Sequence, residues 1–278
     1  MLNSSLFSEE RKPLSRNLLL VLIILSVLSV FLLHLRSGVE SAASVWLMAM
    51  LSALLYISGW YVLDKNRADE PDAKPKLFNS GMLLATCGAL LGIVSSYLNG
   101  FGAVSIIGSL IPLIILMMRK QVARTFSQAD LVLTPVLCAS VFWGSGGLLG
   151  DPLVGVFPAV IVLLMAFVIQ IAQITETEIR STYTEIDEEE IFHRYRKRFA
   201  WTASIFFLFG VVSFWPWLGM IYNDAYFWLL IFGVILPMVF FWGRLRQPRA
   251  EGPYVALLRF NRVSPLLAGI LLIAFAIG

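Results

Sequence analysis

Apolar residues recur along this chain in nine long blocks, and the short segments between the blocks hold nearly all of the charge. At roughly 15 to 20 residues, each block is long enough to cross a hydrocarbon layer about 30 Å thick as a helix. The pattern predicts helices over Asn17–Leu35, Ser44–Leu63, Ser80–Leu98, Val104–Met118, Leu131–Gly147, Leu153–Ile174, Phe199–Trp217, Tyr226–Trp242 and Val263–Ile277. Arg11, Lys12 and Arg16 precede the first block in the manner of a signal peptide. Its apolar run is longer than a signal core, and no small-residue cleavage site follows closely, so the block reads as a helix. No gap between blocks is long enough for a soluble domain. Residues 1–278 therefore read as a single transmembrane helical domain with a short cytoplasmic tail at 1–16.

Nine spans place successive loops on alternate sides, and the basic residues test that frame. Twenty of the 21 Lys and Arg residues fall on one side, in the tail and in the loops after the second, fourth, sixth and eighth spans; Arg36 is the exception. Positive charge is retained on the cytoplasmic side of membranes, so the N-terminus is expected in the cytoplasm and the C-terminus opposite. Tryptophans fit the same frame, with Trp60, Trp201 and Trp242 at inner ends and Trp46, Trp143, Trp215, Trp217 and Trp228 at or near outer ones. The expected fold is all-α: a polytopic membrane protein with nine transmembrane helices around a cavity open to the cytoplasmic side.

Composition agrees. Of the 278 residues, 58% are hydrophobic and 14% charged, against about a quarter charged in soluble domains. A net charge of +3 carried mainly by orienting loops gives no reason to expect a nucleic-acid partner. Cys87 and Cys138 lie inside apolar blocks and read as packing residues. Gly88 and Gly92 form a G-x-x-x-G, which lets a neighbouring helix approach closely; tight packing inside one bundle is favoured over a dimer interface. Prolines within the blocks permit kinks and carry no assigned function.

Fifteen of the 18 acidic residues also fall on the cytoplasmic side, in two dominant clusters. Asp64, Asp69, Glu70 and Asp72 follow the second span. Glu176, Glu178, Glu185 and the run Asp187 to Glu190 follow the sixth. Two such groups on one membrane face can hold a hard divalent cation, which prefers carboxylate oxygens and bridges to substrate phosphates. The sixth helix is expected to continue beyond the membrane with one polar face, carrying Gln170, Gln173, Thr177, Arg180, Ser181 and Thr184 within an arc of about 100°. Amides at membrane depth face protein or water, so this face is expected to line a cavity. The alternative is a solvated helix end with Glu176 and Arg180 as a surface pair. The Asp187 to Glu190 run reads as a solvated loop. Lys74, Lys76, Lys120, Arg124 and Arg180 share the same side and suit a diphosphate, although charge sorting alone would also put them there. His34 and His193 have no partner at metal-ligand spacing, and no Walker loop, dinucleotide fingerprint, H-E-x-x-H, G-x-S-x-G or CDP-alcohol transferase pattern is present.

Nine spans with acidic segments after the second and the sixth resemble the UbiA superfamily of intramembrane prenyltransferases, and the resemblance covers most of the chain. That family carries N-D-x-x-D-x-x-x-D at the end of its second helix. Asp64 matches the middle aspartate; Trp60 and Tyr61 stand where the family has Asn-Asp, Ala68 stands at its final Asp, and Asp69 and Asp72 are substitutes at shifted spacing. The segment Ala73 to Gly81 is similar to the family's basic, proline-containing approach to the third helix, and R-K-Q-V-A-R-T-F from Arg119 to its basic loop before the fifth. Glu178 to Glu185 lies on the family's D-I-R-D-x-x-G-D, matching Glu178, Arg180 and Glu185 by type, with Ser181 in place of the middle acid. The resemblance implies Mg2+ held by Asp64, Asp69, Asp72, Glu178 and Glu185, with Asp64 and Glu178 as catalytic residues. It also implies a diphosphate bound by Lys74, Lys120, Arg124 and Arg180.

The implied function is magnesium-dependent transfer of a prenyl group from a polyprenyl diphosphate to an aromatic or other lipophilic acceptor, in contact with membrane lipids. Its rival is a noncatalytic relative that binds an isoprenoid or a protein partner, since roughly half of the family's carboxylates are replaced and affinity for the metal follows ligand number and charge. A secondary transporter has less support, because no intramembrane acid or internal repeat marks a midplane site. The expected setting is a bacterial or archaeal cell membrane.

Overall fold

The computed structural model describes residues 43–69, 75–98, 102–125, 129–145, 152–182, 188–245 and 252–278. The first expected span, Asn17–Leu35, lies outside the described residues, as does the tail. The described chain is helical apart from the turn at 219–223 and the single residues 252 and 278. The helices are α1 (Ala43–Asp69), α2 (Pro75–Leu98), α3 (Gly102–Thr125), α4 (Ala129–Ser145), α5 (Pro152–Thr182), α6 (Glu188–Leu218), α7 (Asp224–Leu230), α8 (Leu236–Leu245) and α9 (Pro253–Ile277). A π-helical turn, Ile231–Ile235, joins α7 and α8 into one rod. It lies directly before Pro237, which has no N–H to offer the Gly233 carbonyl, and a wider turn relieves that mismatch.

Every expected span from the second onward falls on one of these rods. Four stretches are long and apolar enough to cross a membrane: Val156–Thr182, Glu189–Leu218, Asp224–Leu245 and Pro253–Ile277. Four more helices carry shorter apolar segments, from Leu47–Leu63 to Leu131–Trp143. The chain is a membrane protein, all-helical among the described residues.

The rods outrun the apolar blocks chiefly at the ends where charge is concentrated. α6 begins at Glu188 and not at Phe199, and α9 at Pro253 and not at Val263. Lys, Arg and Glu are good helix formers, so a helix continues after its hydrophobicity stops. The run at Asp187 to Glu190, expected as a loop, is corrected accordingly: Glu188 opens α6, while Glu189 and Glu190 are exposed as expected. Acidic side chains in a first turn suit the positive end of the helix dipole. Trp60 is a second correction. It is fully buried, packed with Ala53, Tyr56 and Leu63 of α1 and Ala85 and Ala89 of α2, and is not an interfacial anchor. Trp201, Trp215 and Trp228 are more than half exposed.

Two apolar clusters make up the core. One joins α1 to α4, and the other gathers α4 to α9 with Ile57 of α1; α4 serves both, with Leu137 and Val141 turned to the first and Cys138 and Phe142 to the second. α5 packs against α4, α6 and α9 and is the most enclosed of the four long spans, with 67% of its apolar window buried. The opposite end is pinned by Asn223, whose side chain caps α7 by accepting from the amides of Ala225 and Tyr226 and donates to the Ile277 carbonyl at 3.0 Å. The end of α9 and the start of α7 therefore sit together.

α1 and α2 make the closest pair. A Cβ on Gly88 would stand 3.0 Å from the Ser52 carbonyl, and one on Gly92 2.8 Å from Ser109 Oγ. Both glycines of the G-x-x-x-G thus serve packing inside the chain. With the backbones this close, Ser52 Oγ donates to the Gly88 carbonyl at 2.6 Å, and the Tyr56 hydroxyl donates across to the Ser109 carbonyl. At Gly59 a Cβ would stand 2.7 Å from the Gly81 carbonyl oxygen, a backbone atom that cannot rotate away. Gly59→Ala is therefore expected to destabilise the protein by about 1–3 kcal/mol through overpacking. Thermal unfolding of the purified variant checks this, and an unchanged midpoint would contradict the close approach.

Candidate functional site

The polar chemistry of the described residues gathers where α5 emerges from its apolar stretch. Residues 176 and 178 are about 200° apart on a helix, so their side chains leave opposite faces. Each carboxylate meets a different neighbour. Glu176 accepts from Arg180 Nη2 at 2.8 Å, one turn on along α5, and from the Asn261 amide of α9. Glu178 accepts from Arg198 Nη1 of α6 at 2.5 Å and from the Tyr195 hydroxyl at 3.3 Å. The Arg198 guanidinium also lies over the Tyr195 ring, 5.4 Å from its centre. Arg180 is within hydrogen-bonding reach of Tyr254 at the start of α9. Three helices are thus tied at one level by two carboxylates.

Burial grades the two ties. Glu176 is 16% exposed and Asn261 only 2%, so that contact is inside the protein. Glu178 and Arg198 are each about one-third exposed, which makes theirs a rim contact. Gln170 and Gln173 are buried on α5, while Arg180 and Ser181 further along are exposed. The polar face therefore passes from the protein interior to solvent within three turns, as expected of amides at membrane depth.

The structure brings Glu178 and Arg180 into this cluster, each already engaged. Asp64 and Asp69 lie on the helical backbone of α1, and Asp64 is one turn past buried Trp60. Lys120 and Arg124 lie on the last turns of α3. The side chains of these four lie outside the described residues, as do Asp72, Lys74 and Glu185 entirely. Among the described residues no group of three or more His, Cys, Asp or Glu is placed to hold a metal. The two glutamates of α5 do not make such a site by themselves, because magnesium takes several oxygen ligands and both carboxylates are met by cationic or amide donors. His193 and Cys87 are exposed, and Cys138 is buried in the core.

Asn261, Tyr195 and Arg198 belong to the cluster and are not singled out by the sequence reading. Asn261 lay ahead of the expected start of the last span, because Arg259 and Arg262 interrupt the apolar run. Glu176 belongs to the second acidic cluster, with a surface pair to Arg180 as the alternative; that pair exists, and the acid, 16% exposed, also meets Asn261 of α9. A signal for Asn261 was present: Tyr254, Leu257, Asn261, Ser264 and Ala268 recur at alternating intervals of three and four, and all are buried. Helical spacing of that kind marks an inward face whether or not the face is apolar.

The fold itself has a precedent. Over 95% of this chain and 97% of the other, it superposes on a solved membrane structure described as digeranylgeranylglyceryl phosphate synthase, with a TM-score of 0.64 and 16% sequence identity. No family model matches the chain, and no curated protein matches it. The likeness establishes a shared architecture across nearly the whole of both chains.

The buried tie between α5 and α9 has a measurable consequence. Asn261→Leu keeps the branched shape and the number of heavy atoms but removes a donor to a carboxylate, a class of hydrogen bond worth about 1.5–3 kcal/mol. A lowered thermal midpoint in detergent is expected, and a midpoint equal to that of the unaltered protein would show that Glu176 does not depend on Asn261.

Proposed function

We propose that this chain is a divergent member of the UbiA superfamily that transfers a prenyl group, within the membrane, from a polyprenyl diphosphate to a lipophilic acceptor. The observation that carries this reading is the architecture shared over nearly its full length with a synthase whose product, by its name, bears two geranylgeranyl groups. The sequence supports it, since acidic and basic residues cluster in the segments that follow long apolar blocks. A donor of this class needs that combination: an apolar wall for its tail and charge for its head.

In the proposed reaction the bond between the allylic carbon and the diphosphate oxygen breaks, the electron pair leaves with the diphosphate, and the acceptor forms the new bond as it loses a proton. Lys74, Lys120, Arg124 and Arg180 would meet the negative charge that accumulates on the departing group. Apolar walls would keep water from the allylic cation. Asp64, Asp69, Asp72, Glu178 and Glu185 are the carboxylates that would hold magnesium, whose charge would offset that of the diphosphate. In this arrangement nine spans surround a cavity that opens to the cytoplasm, with the N-terminus on that side.

A specific observation favours a second reading. Glu178 is tied to Arg198 and Tyr195, and Trp60, at the position of the family's Asn, is buried in the core. Both serve structure, which suits a noncatalytic relative that binds an isoprenoid or a protein partner.

Incubation of the purified protein with magnesium, prenyl diphosphates of several lengths and a membrane lipid extract decides between them. Diphosphate release is expected from the unaltered protein and is expected to be lost in an Asp64→Ala, Glu178→Ala double variant that remains folded. No release with any donor, or equal release by the double variant, would give the noncatalytic reading its place. The topology has its own test: a reporter fused after Gly278 is expected on the side opposite the cytoplasm, and a cytoplasmic signal would overturn the orientation.

A further inference from the structure

On the side of α6 turned away from the Glu178 tie, a furrow of about 860 Å³ runs between α6 and α8. Its size is that of small-ligand cavities, which span about 300–1,000 Å³. The floor is low because α6 presents Ala200, Ala203 and Ser204 there, and the walls are aromatic and aliphatic, with Phe199 and Phe207 on one side and Val239 and Trp242 on the other. Ser204 adds little polarity, since its hydroxyl donates to the Ala200 carbonyl of its own helix at 3.0 Å. The furrow faces outward: Phe207 is 73% exposed.

One charged group lines it, Arg196, at the charge-rich end of α6 where the apolar run begins. Arg198 is turned about 200° away and is neutralised by Glu178. Arg196 is exposed, and among the described residues no acidic side chain lines the furrow. An exposed cation at the head of an apolar channel, with no anion beside it among the furrow's described lining residues, matches an amphiphile of the opposite charge, with an acyl tail along Ala200, Ala203 and Phe207 and a phosphate on the guanidinium. The geometry points to a binding site for one acidic phospholipid of the surrounding bilayer, seated in the furrow between α6 and α8 with its headgroup phosphate on Arg196.

The site stands apart from the proposed prenyl transfer, because Arg196 and the Arg198 that holds Glu178 lie on opposite faces of α6, and its test needs no catalysis. Native mass spectrometry of the full-length protein in detergent, titrated with palmitoyl-oleoyl phosphatidylglycerol or with the phosphatidylcholine of identical chains, counts the lipid retained. One phosphatidylglycerol is expected to be held at least about fivefold better than phosphatidylcholine. Arg196→Gln should bring the two lipids to parity, whereas Lys197→Gln should keep the preference. Ala203→Trp, which fills the channel, should reduce retention of both. Equal binding of the two lipids by the unaltered protein, or an unchanged preference in Arg196→Gln, would overturn the assignment. So would displacement of the lipid by geranylgeranyl diphosphate in a manner lost with Arg196→Gln, since the furrow would then be a donor site. Arg196→Gln alters an exposed side chain, so its result stands even if Ala203→Trp fails to fold.

Discussion

A carboxylate taken out of water must be met by donors that replace its hydration, or it costs several kcal/mol. α5 sets that requirement at Glu176, 16% exposed, and more weakly at Glu178, one-third exposed at the rim, both near the end of the most enclosed of the four long spans. Because the two side chains leave opposite faces, one partner helix cannot answer both. α9 answers the first with Asn261 and α6 answers the second with Arg198 and Tyr195. Each answer fixes the rotation of its helix about its own axis, and with it the faces left over. Arg196 points into the outer furrow because Arg198 is committed inward. The lower half of α9 buries Tyr254, Leu257 and Phe260 because Asn261 must reach α5.

The other half of the protein is held differently. Along the apolar stretches of α1, α2 and α3, burial of apolar surface in a membrane drives helix association only weakly. Close approach takes over. Gly59, Gly81, Gly88 and Gly92 bring backbones near enough for dispersion contacts and for the bonds from Ser52 and Tyr56. α4 lies between the two regimes and shares its side chains with both clusters. A substitution thus acts by a different route in each half: added volume disturbs the first, and a lost donor disturbs the second.

Architecture and chemistry carry different weight in the functional reading. The fold follows a membrane synthase from end to end at 16% identity, and packing of apolar helices tolerates that much change because many side chains fill the same space. Metal sites tolerate far less, since each ligand must present an oxygen at a fixed distance. Glu178, aligned with an acidic motif, is held by an arginine and a tyrosine in this chain. Its immediate partners are those of a structural tie.

Sequence alone determined the helices. Apolar blocks mark hydrocarbon crossings because hydrophobicity is a property of each residue summed over a local window, and eight of the expected spans fall on described rods. Their charged extensions, such as the first turns of α6 and of α9, were cut short because that sum ends where the charges begin although the helix does not. The glycines of α2 were legible as packing positions, since a missing side chain has the same meaning wherever it sits. What the tertiary structure decided was pairing. Nothing local to Glu176 indicates Asn261, 85 residues away, and nothing distinguishes Arg198 from Arg196 in the run R-Y-R-K-R. Those assignments follow from the rotation of three helices about their axes, which is set by the packing of the whole bundle and is invisible along one strand of sequence.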